Sequence, residues 1–332
     1  MTGLAVQRML TVPAAWPPTL IVVVDTEEEF DWTAPFDAAS TAVANIACQP
    51  LAQRIFDSYG VVPTYVVDHP VAATPAAAAV LRAIAEAGRC EIGAHLHPWV
   101  TPPAEGPVDA RHSYPGNLPP DLERRKLEAL TQAIVAGFGI RPVVYKAGRY
   151  GVGPATAGIL RDAGYRIDVS VVPHTDFSAE GGPDFTALPD QPFMIAPGLV
   201  ELPLSVHFAG ALRGAGRQIY PRLAGLRGTR LHLPGIAARL GLLERLRLSP
   251  EGHRFNDMLR QTRVALAGGT RLFMLTYHSS TLLPGATGYV RDSAERDHFL
   301  ARLDGYCHAF LGRLGGRAST LTAVAAALGA DA

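Results

Sequence analysis

Four of the five residues from 25 to 29 are acidic: Asp25, Glu27, Glu28 and Glu29, with Thr26 between the first two. They follow directly on the apolar run 20–24. Like charges this close repel, and those nearest a buried strand need a metal cation or an arginine to stay ionised. Asp25 and Glu27 are two apart, so an extended backbone turns both to one side. One can ligate a metal while the other takes a proton from water as general base. A second loaded stretch is His95-Leu96-His97-Pro98-Trp99. Its two imidazoles also share a side and can reach one cation, with Trp99 covering the site. Histidine nitrogen and carboxylate oxygen without thiolate suit Zn²⁺ or a similar divalent ion with open positions.

Two later stretches complete the set. Arg149, in the segment Lys146-Ala147-Gly148-Arg149-Tyr150-Gly151, is expected to pair with the free carboxylate and hold it ionised. His278, after the apolar run 271–277, is the candidate general acid, placed across the substrate space from Asp25. Asp168 is expected to orient His278 or Arg149. Trp99, Tyr150 and Ser279 are the expected substrate-binding neighbours. His112, His174 and His207 lack such company, and neither Gly-rich loop follows a strand as a phosphate-binding turn does.

Elements must bring these residues together. Apolar runs at 20–24, 61–67, 89–94, 142–146, 166–172 and 271–277 predict buried strands. Helical spacing is expected over 36–59, 75–88, 121–138, 153–163, 249–266, 291–314 and 320–328. The alternation predicts one α/β domain, either a barrel or a doubly wound sheet. Both architectures gather their chemistry at strand C-termini, where Asp25, His95, Arg149 and His278 all fall. Residues 1–18 are expected to be a loose lead-in and 19–332 a single domain. A long insertion spans about 173–250, with a hairpin near 194–202 outside the core barrel.

Composition excludes several classes. Thirty basic residues balance thirty acidic ones, so no electrostatic case exists for nucleic acid or an anionic membrane. No apolar stretch is long enough to span a bilayer, and no secretory signal stands at the N-terminus. Three scattered cysteines, Cys48, Cys90 and Cys307, form no disulfide framework. A soluble, cytoplasmic protein is expected, and its oligomeric state is left open.

The motifs VVDTEEEFDW, EIGAHLHPW, YKAGRYG, YRIDVS and LTYHSSTLLPG, in this order, resemble the polysaccharide deacetylases of the NodB-homology type, carbohydrate esterase family 4. More narrowly, they are similar to the WalW-like branch linked to exopolysaccharide genes. The resemblance runs from about residue 20 through the closing helix. It implies a distorted (β/α) barrel of about seven strands and a metal-dependent deacetylase acting on a carbohydrate. It also implies Asp25 as base, Glu27, His95 and His97 as metal ligands, Arg149 steering the base and His278 as acid. Two departures stand out. The family places adjacent aspartates where this chain has Asp25-Thr26-Glu27, and a second metal histidine where it has Trp99, so His97 has to substitute. Two other readings fit some of the residues: a metal hydrolase of a small cyclic amide, using Lys146, His174 and His207, and a barrel that binds carbohydrate without turnover.

Overall fold

The computed structural model describes residues 3–329. Its strands are β1 (Arg8–Met9), β2 (Thr19–Thr26), β3 (Thr64–Val67), β4 (Glu91–Leu96), β5 (Val144–Ala147), β6 (Ile167–Asp168), β7 (Phe193–Ala196), β8 (Leu199–Glu201), β9 (Val206–Ala209), β10 (Glu244–Arg247), β11 (Leu272–His278) and β12 (Arg317–Ala318). The main sheet runs β1-β7-β8-β6-β5-β4-β3-β2-β11, with β12 beside the start of β2. From β8 to β11 every pairing is parallel, which makes seven parallel strands and matches the expected number. This curled parallel sheet is the distorted barrel.

The strands are short because their sequences are. β2 is buried along its whole length, and Leu20 to Val24 are at most 2% exposed. Each such side chain contributes roughly 1.5–3 kcal/mol by leaving water. Helices follow the strands and cover the outside. Pro120–Phe138 buries Leu122, Leu127, Leu130 and Ile134, and it stops at Gly139, whose left-handed φ of 67° ends the turn. Val135, apolar like these, instead faces outward and is 41% exposed. The predicted helix over 36–59 is realised only in its second half, as a 3₁₀ turn and the helix Gln49–Ser58.

Two expectations about the edges change, and the insertion takes a definite form. The lead-in is not wholly loose, since Arg8 and Met9 pair with Met194 and Phe193 to form the sheet's outer strand. The β7–β8 hairpin does not lie outside the barrel: β8 pairs in parallel with β6, placing Glu201 beside Asp168. Residues 205–250 fold as the antiparallel ribbon β9–β10 with the short helices Gly216–Ala224, Leu226–Arg230 and Leu233–Arg239. They carry a small core of their own around Phe208, Ala237 and Leu243.

The ribbon's base fills the gap between β8 and β11. No ladder crosses it. Single bonds do: Leu248 N to Ser205 O (3.0 Å) and Thr276 N to Leu248 O (3.1 Å). Ser205 Oγ adds a third by accepting from Met274 N at 2.8 Å, in a buried position. Ser205→Ala is expected to strand that N–H and destabilise the protein by about 1–3 kcal/mol in urea unfolding. A change within error would mean that the seam tolerates the loss.

Candidate active site

Strand register sets the site. His278 is the β11 partner of Asp25 on β2, and His95 on β4 is the partner of Lys146 on β5. All four side chains meet inside the C-terminal mouth. Lys146 Nζ lies 2.6 Å from both Asp25 oxygens, and neither residue is more than 3% exposed. Burial alone would raise the Asp25 pKa. The Lys146 ammonium, helped by His278, outweighs it and holds the carboxyl well below the usual range.

The acidic run is divided among separate partners. Glu27 Oε2 faces His95 Nε2 at 3.5 Å and His97 Nε2 at 3.4 Å. Glu28 Oε2 lies 2.8 Å from His97 Nδ1, and the Glu28 N–H donates to Asp68 Oδ2. Glu29 Oε1 accepts from the Asn45 N–H at 2.7 Å. Glu28 and Asp68 are both buried, and burial raises both pKa values: that of Glu28 to about 7, with the charge of Glu27 adding to burial and Asp68 opposing it, and that of Asp68 further through Glu28.

Both histidines have their tautomers set from behind. The Nδ1 of His95 sits 3.0 Å from the Lys146 carbonyl, which can only accept, so Nδ1 carries hydrogen. His97 Nδ1 likewise donates to Glu28. Burial lowers both imidazole pKa values, keeping the rings neutral and each Nε2 with a free lone pair. Two lone pairs and a carboxylate oxygen then face one another, an arrangement that asks for a cation. Ligand atoms about 2.1 Å from a tetrahedral ion stand roughly 3.4 Å apart, the spacing found here. The donor set fits a divalent ion, and His97 occupies the place that the Trp99 departure left in question.

The loop beyond β4 is held from below. Lys126 Nζ donates to the carbonyls of Pro98, Thr101 and Pro103. Gly148 closes against the same loop: a Cβ there would lie 2.4 Å from Leu96 O and 2.5 Å from His97 Cδ2. Any side chain at 148 displaces His97.

His278 is oriented by Glu251. Glu251 Oε2 is 2.9 Å from His278 Nδ1, while Oε1 accepts from the His278 N–H and the Thr281 hydroxyl. Nε2 therefore points into the cleft, 3.6 Å from Asp25 Oδ2. Burial lowers the His278 pKa, but Glu251, Glu27 and Asp25 together raise it well above the ordinary value. His278 thus adjoins Asp25 and is not separated from it by the substrate space as expected.

Four other expected roles change. Arg149 does not pair with Asp25. It binds Glu180 at 2.7 Å and Ser113 Oγ at 2.7 Å, with Tyr114 under its guanidinium, and lines the cleft wall. Asp168 touches neither His278 nor Arg149; it accepts from Ser170 Oγ and neighbours Glu201. Ser279 is fully buried and its Oγ accepts from the Glu27 N–H at 3.0 Å, so it positions Glu27. Trp99 backs the site, stacked on His97 at 4.3 Å. Tyr150 does line the cleft. His174 and His207 lie elsewhere, near Asp190, and are not brought to Lys146.

The cleft holds about 450 Å³. Its floor is Asp25, Glu27, His95, His97 and His278, and Trp32, Tyr114, Tyr150, Phe177 and Tyr289 form its aromatic walls. Lys146 as the partner of Asp25 and Glu251 as the partner of His278 were missed in the sequence. A lysine inside the apolar strand 142–147 was a signal, because a buried ammonium needs an acid partner. Glu251 gave none, as its contact with His278 spans 27 positions.

No family model and no curated protein matches the chain. Solved structures do. A Mycobacterium smegmatis protein assigned as a polysaccharide deacetylase superposes with a TM-score of 0.56 at 18% identity, covering 98% of this chain and 95% of that one. The PuuE allantoinase gives 0.54 at 15% identity, covering 95% and 93%. These likenesses show the fold, the NodB-type distorted barrel.

Lys146→Met is expected to leave a buried unpaired carboxylate and cost about 3–5 kcal/mol. Adding Asp25→Asn should recover most of that, whereas Arg149→Met should cost much less. Equal losses for Lys146→Met and Arg149→Met in thermal unfolding would refute the pairing.

Proposed function

We propose that the chain is a metal-dependent hydrolase that removes an acetyl group from an N-acetylated or O-acetylated sugar, free or within a glycan. The observation that carries this reading is the convergence of Glu27, His95 and His97 on one point, beside Asp25 and His278. The likeness to a fold whose solved examples include a protein assigned as a polysaccharide deacetylase supports it.

Glu27, His95 and His97 would hold the ion, most simply Zn²⁺, which supplies Lewis acidity towards the acyl oxygen and brings a water's pKa to roughly 7. The protein's own groups do the rest. Asp25, ionised through Lys146, accepts the proton that water loses as its oxygen attacks the acyl carbon. His278, protonated and aimed by Glu251, donates from Nε2 to the leaving nitrogen or oxygen as its bond to the acyl carbon breaks. Acetate and a sugar amine or alcohol result. The aromatic walls offer flat faces for sugar rings. Free Cys48, Cys90 and Cys307 suit a reducing, cytoplasmic setting, and no helix among the described residues is long and apolar enough to cross a membrane.

A second reading, hydrolysis of a small cyclic amide, has one finding in its favour: an allantoinase shares the fold nearly as closely. Acetate release from N-acetylated sugars, set against ring opening of cyclic ureides, decides between the two.

Wild-type protein titrated with Co²⁺ is expected to bind one equivalent with visible absorption from nitrogen ligation, and His95→Ala none. Equal metal in both would put the site elsewhere. The acid role has a pH signature. Only protonated His278 can donate, so kcat/KM should fall as pH rises through its raised pKa. Glu251→Gln removes the largest raising partner and should move that alkaline limb to lower pH. An unmoved limb would assign the ionisation to another group.

A further inference from the structure

One cleft group has no part in the reaction above. Arg247 ends β10, the strand that the insertion returns towards the barrel, and its half-buried side chain lines the cleft. Among the described residues its side chain makes one hydrogen bond, from Nη1 to the Tyr150 hydroxyl at 2.6 Å. A guanidinium carries five N–H donors, so most of this fork is unspent. Among the described residues no carboxylate stands within ion-pair distance of it. Glu251 and Asp25 are near enough to be felt, but each is committed, to His278 and to Lys146. Arg149, the other arginine of the cleft, is paired in charge with Glu180 and spends further donors on Ser113 and the Ala110 carbonyl.

The partner of Arg247 is also held deliberately. Arg149 and Tyr150 have φ of 52° and 61°, a left-handed conformation in two successive residues with side chains. Such backbone is strained for residues with a Cβ and persists where the surroundings impose it. Here it turns the Tyr150 ring between two cations, Lys146 at 5.2 Å from the ring and Arg247 at its hydroxyl.

We infer that Arg247 is a specificity residue that receives a carboxylate of the substrate, so that the cleft selects acidic acylated sugars over neutral ones. A planar fork in a partly desolvated wall matches a carboxylate in charge and shape, with two parallel N–H···O bonds. The inference rests on the acetyl-sugar reading, but it concerns binding and not bond cleavage.

N-acetylglucosaminuronic acid and its methyl ester are the probes, with binding by low-temperature calorimetry and acetate release measured separately. Wild-type protein should bind the acid roughly 10- to 100-fold more tightly than the ester, the range for a hydrogen-bonded charge. Arg247→Gln should abolish the preference, Arg247→Lys restore part of it, and Tyr150→Phe preserve it. If Arg247 merely props Tyr150, Arg247→Gln and Tyr150→Phe will weaken acid and ester alike, and the inference falls. It also falls if wild type binds both equally or neither. Acid preference without acetate release would sustain it and sink the deacetylase reading; equal acetate release from both probes, with equal binding, would do the reverse.

Discussion

The salt bridge between Asp25 and Lys146 is the tie on which the mouth of the barrel depends. β2 and β5 are not neighbours; β3 and β4 lie between them. A 2.6 Å contact across two intervening strands is possible only if the sheet curls until its inner face closes on itself. Two buried charges are expensive to desolvate, and each is tolerable only while the other is in place. The pair therefore couples the curvature of the sheet to the ionisation of the proposed base. The strand partners of its two ends are His278 and His95, so the same register brings the proposed acid and one metal ligand to the mouth.

Around that tie, every group with chemistry has a partner that sets its protonation. The Lys146 carbonyl fixes His95, Glu28 fixes His97, and Glu251 fixes His278. Glu28 in turn donates its N–H to Asp68, which caps the helix His69–Ala73 through the Val71 N–H. An acidic run that would repel itself in water is thus spread over four distinct environments. Opposite ionisation within a few ångströms, Asp25 anionic beside cationic His278, is what acid–base chemistry on one acyl group requires.

Much of this was legible in the chain. Buried strands showed as apolar runs, and chemistry at their ends marked the mouth, because residues two apart on a strand share a side. The choice of cation for Asp25 was not. Lys146 and Arg149 stand three apart at one strand end, and the left-handed turn at Arg149 and Tyr150 sends the arginine outward. Local sequence does not announce that turn, since neither residue is glycine. Ser279 misled for a different reason: it follows His278, yet the 3₁₀ turn after β11 buries it under Glu27. The ribbon at 206–247 was obscured by its Arg and Leu content. Only the alternation of Leu246 and Leu248 with Arg245 and Arg247 hints at a strand with one buried face.

That ribbon changes how the barrel should be understood. The regular strand–helix alternation breaks between β8 and β11, and there the sheet is sealed by single hydrogen bonds instead of a ladder. A ladder would fill this sector with side chains dictated by pleat and register. A seam of single bonds leaves it free to present groups from a different part of the chain. Arg247 enters the cleft there, and Glu251 follows four residues later to hold His278. The charged layer of Asp25, Lys146, His95 and Glu27 belongs to the continuous parallel strands or the loop directly after β2. Arg247 and Glu251, which holds His278, come from the ribbon's last strand and the turn just after it. The candidate metal floor and the wall that carries Arg247 therefore have separate structural origins, so substitutions in the ribbon can alter the wall without disturbing the register that assembles the floor.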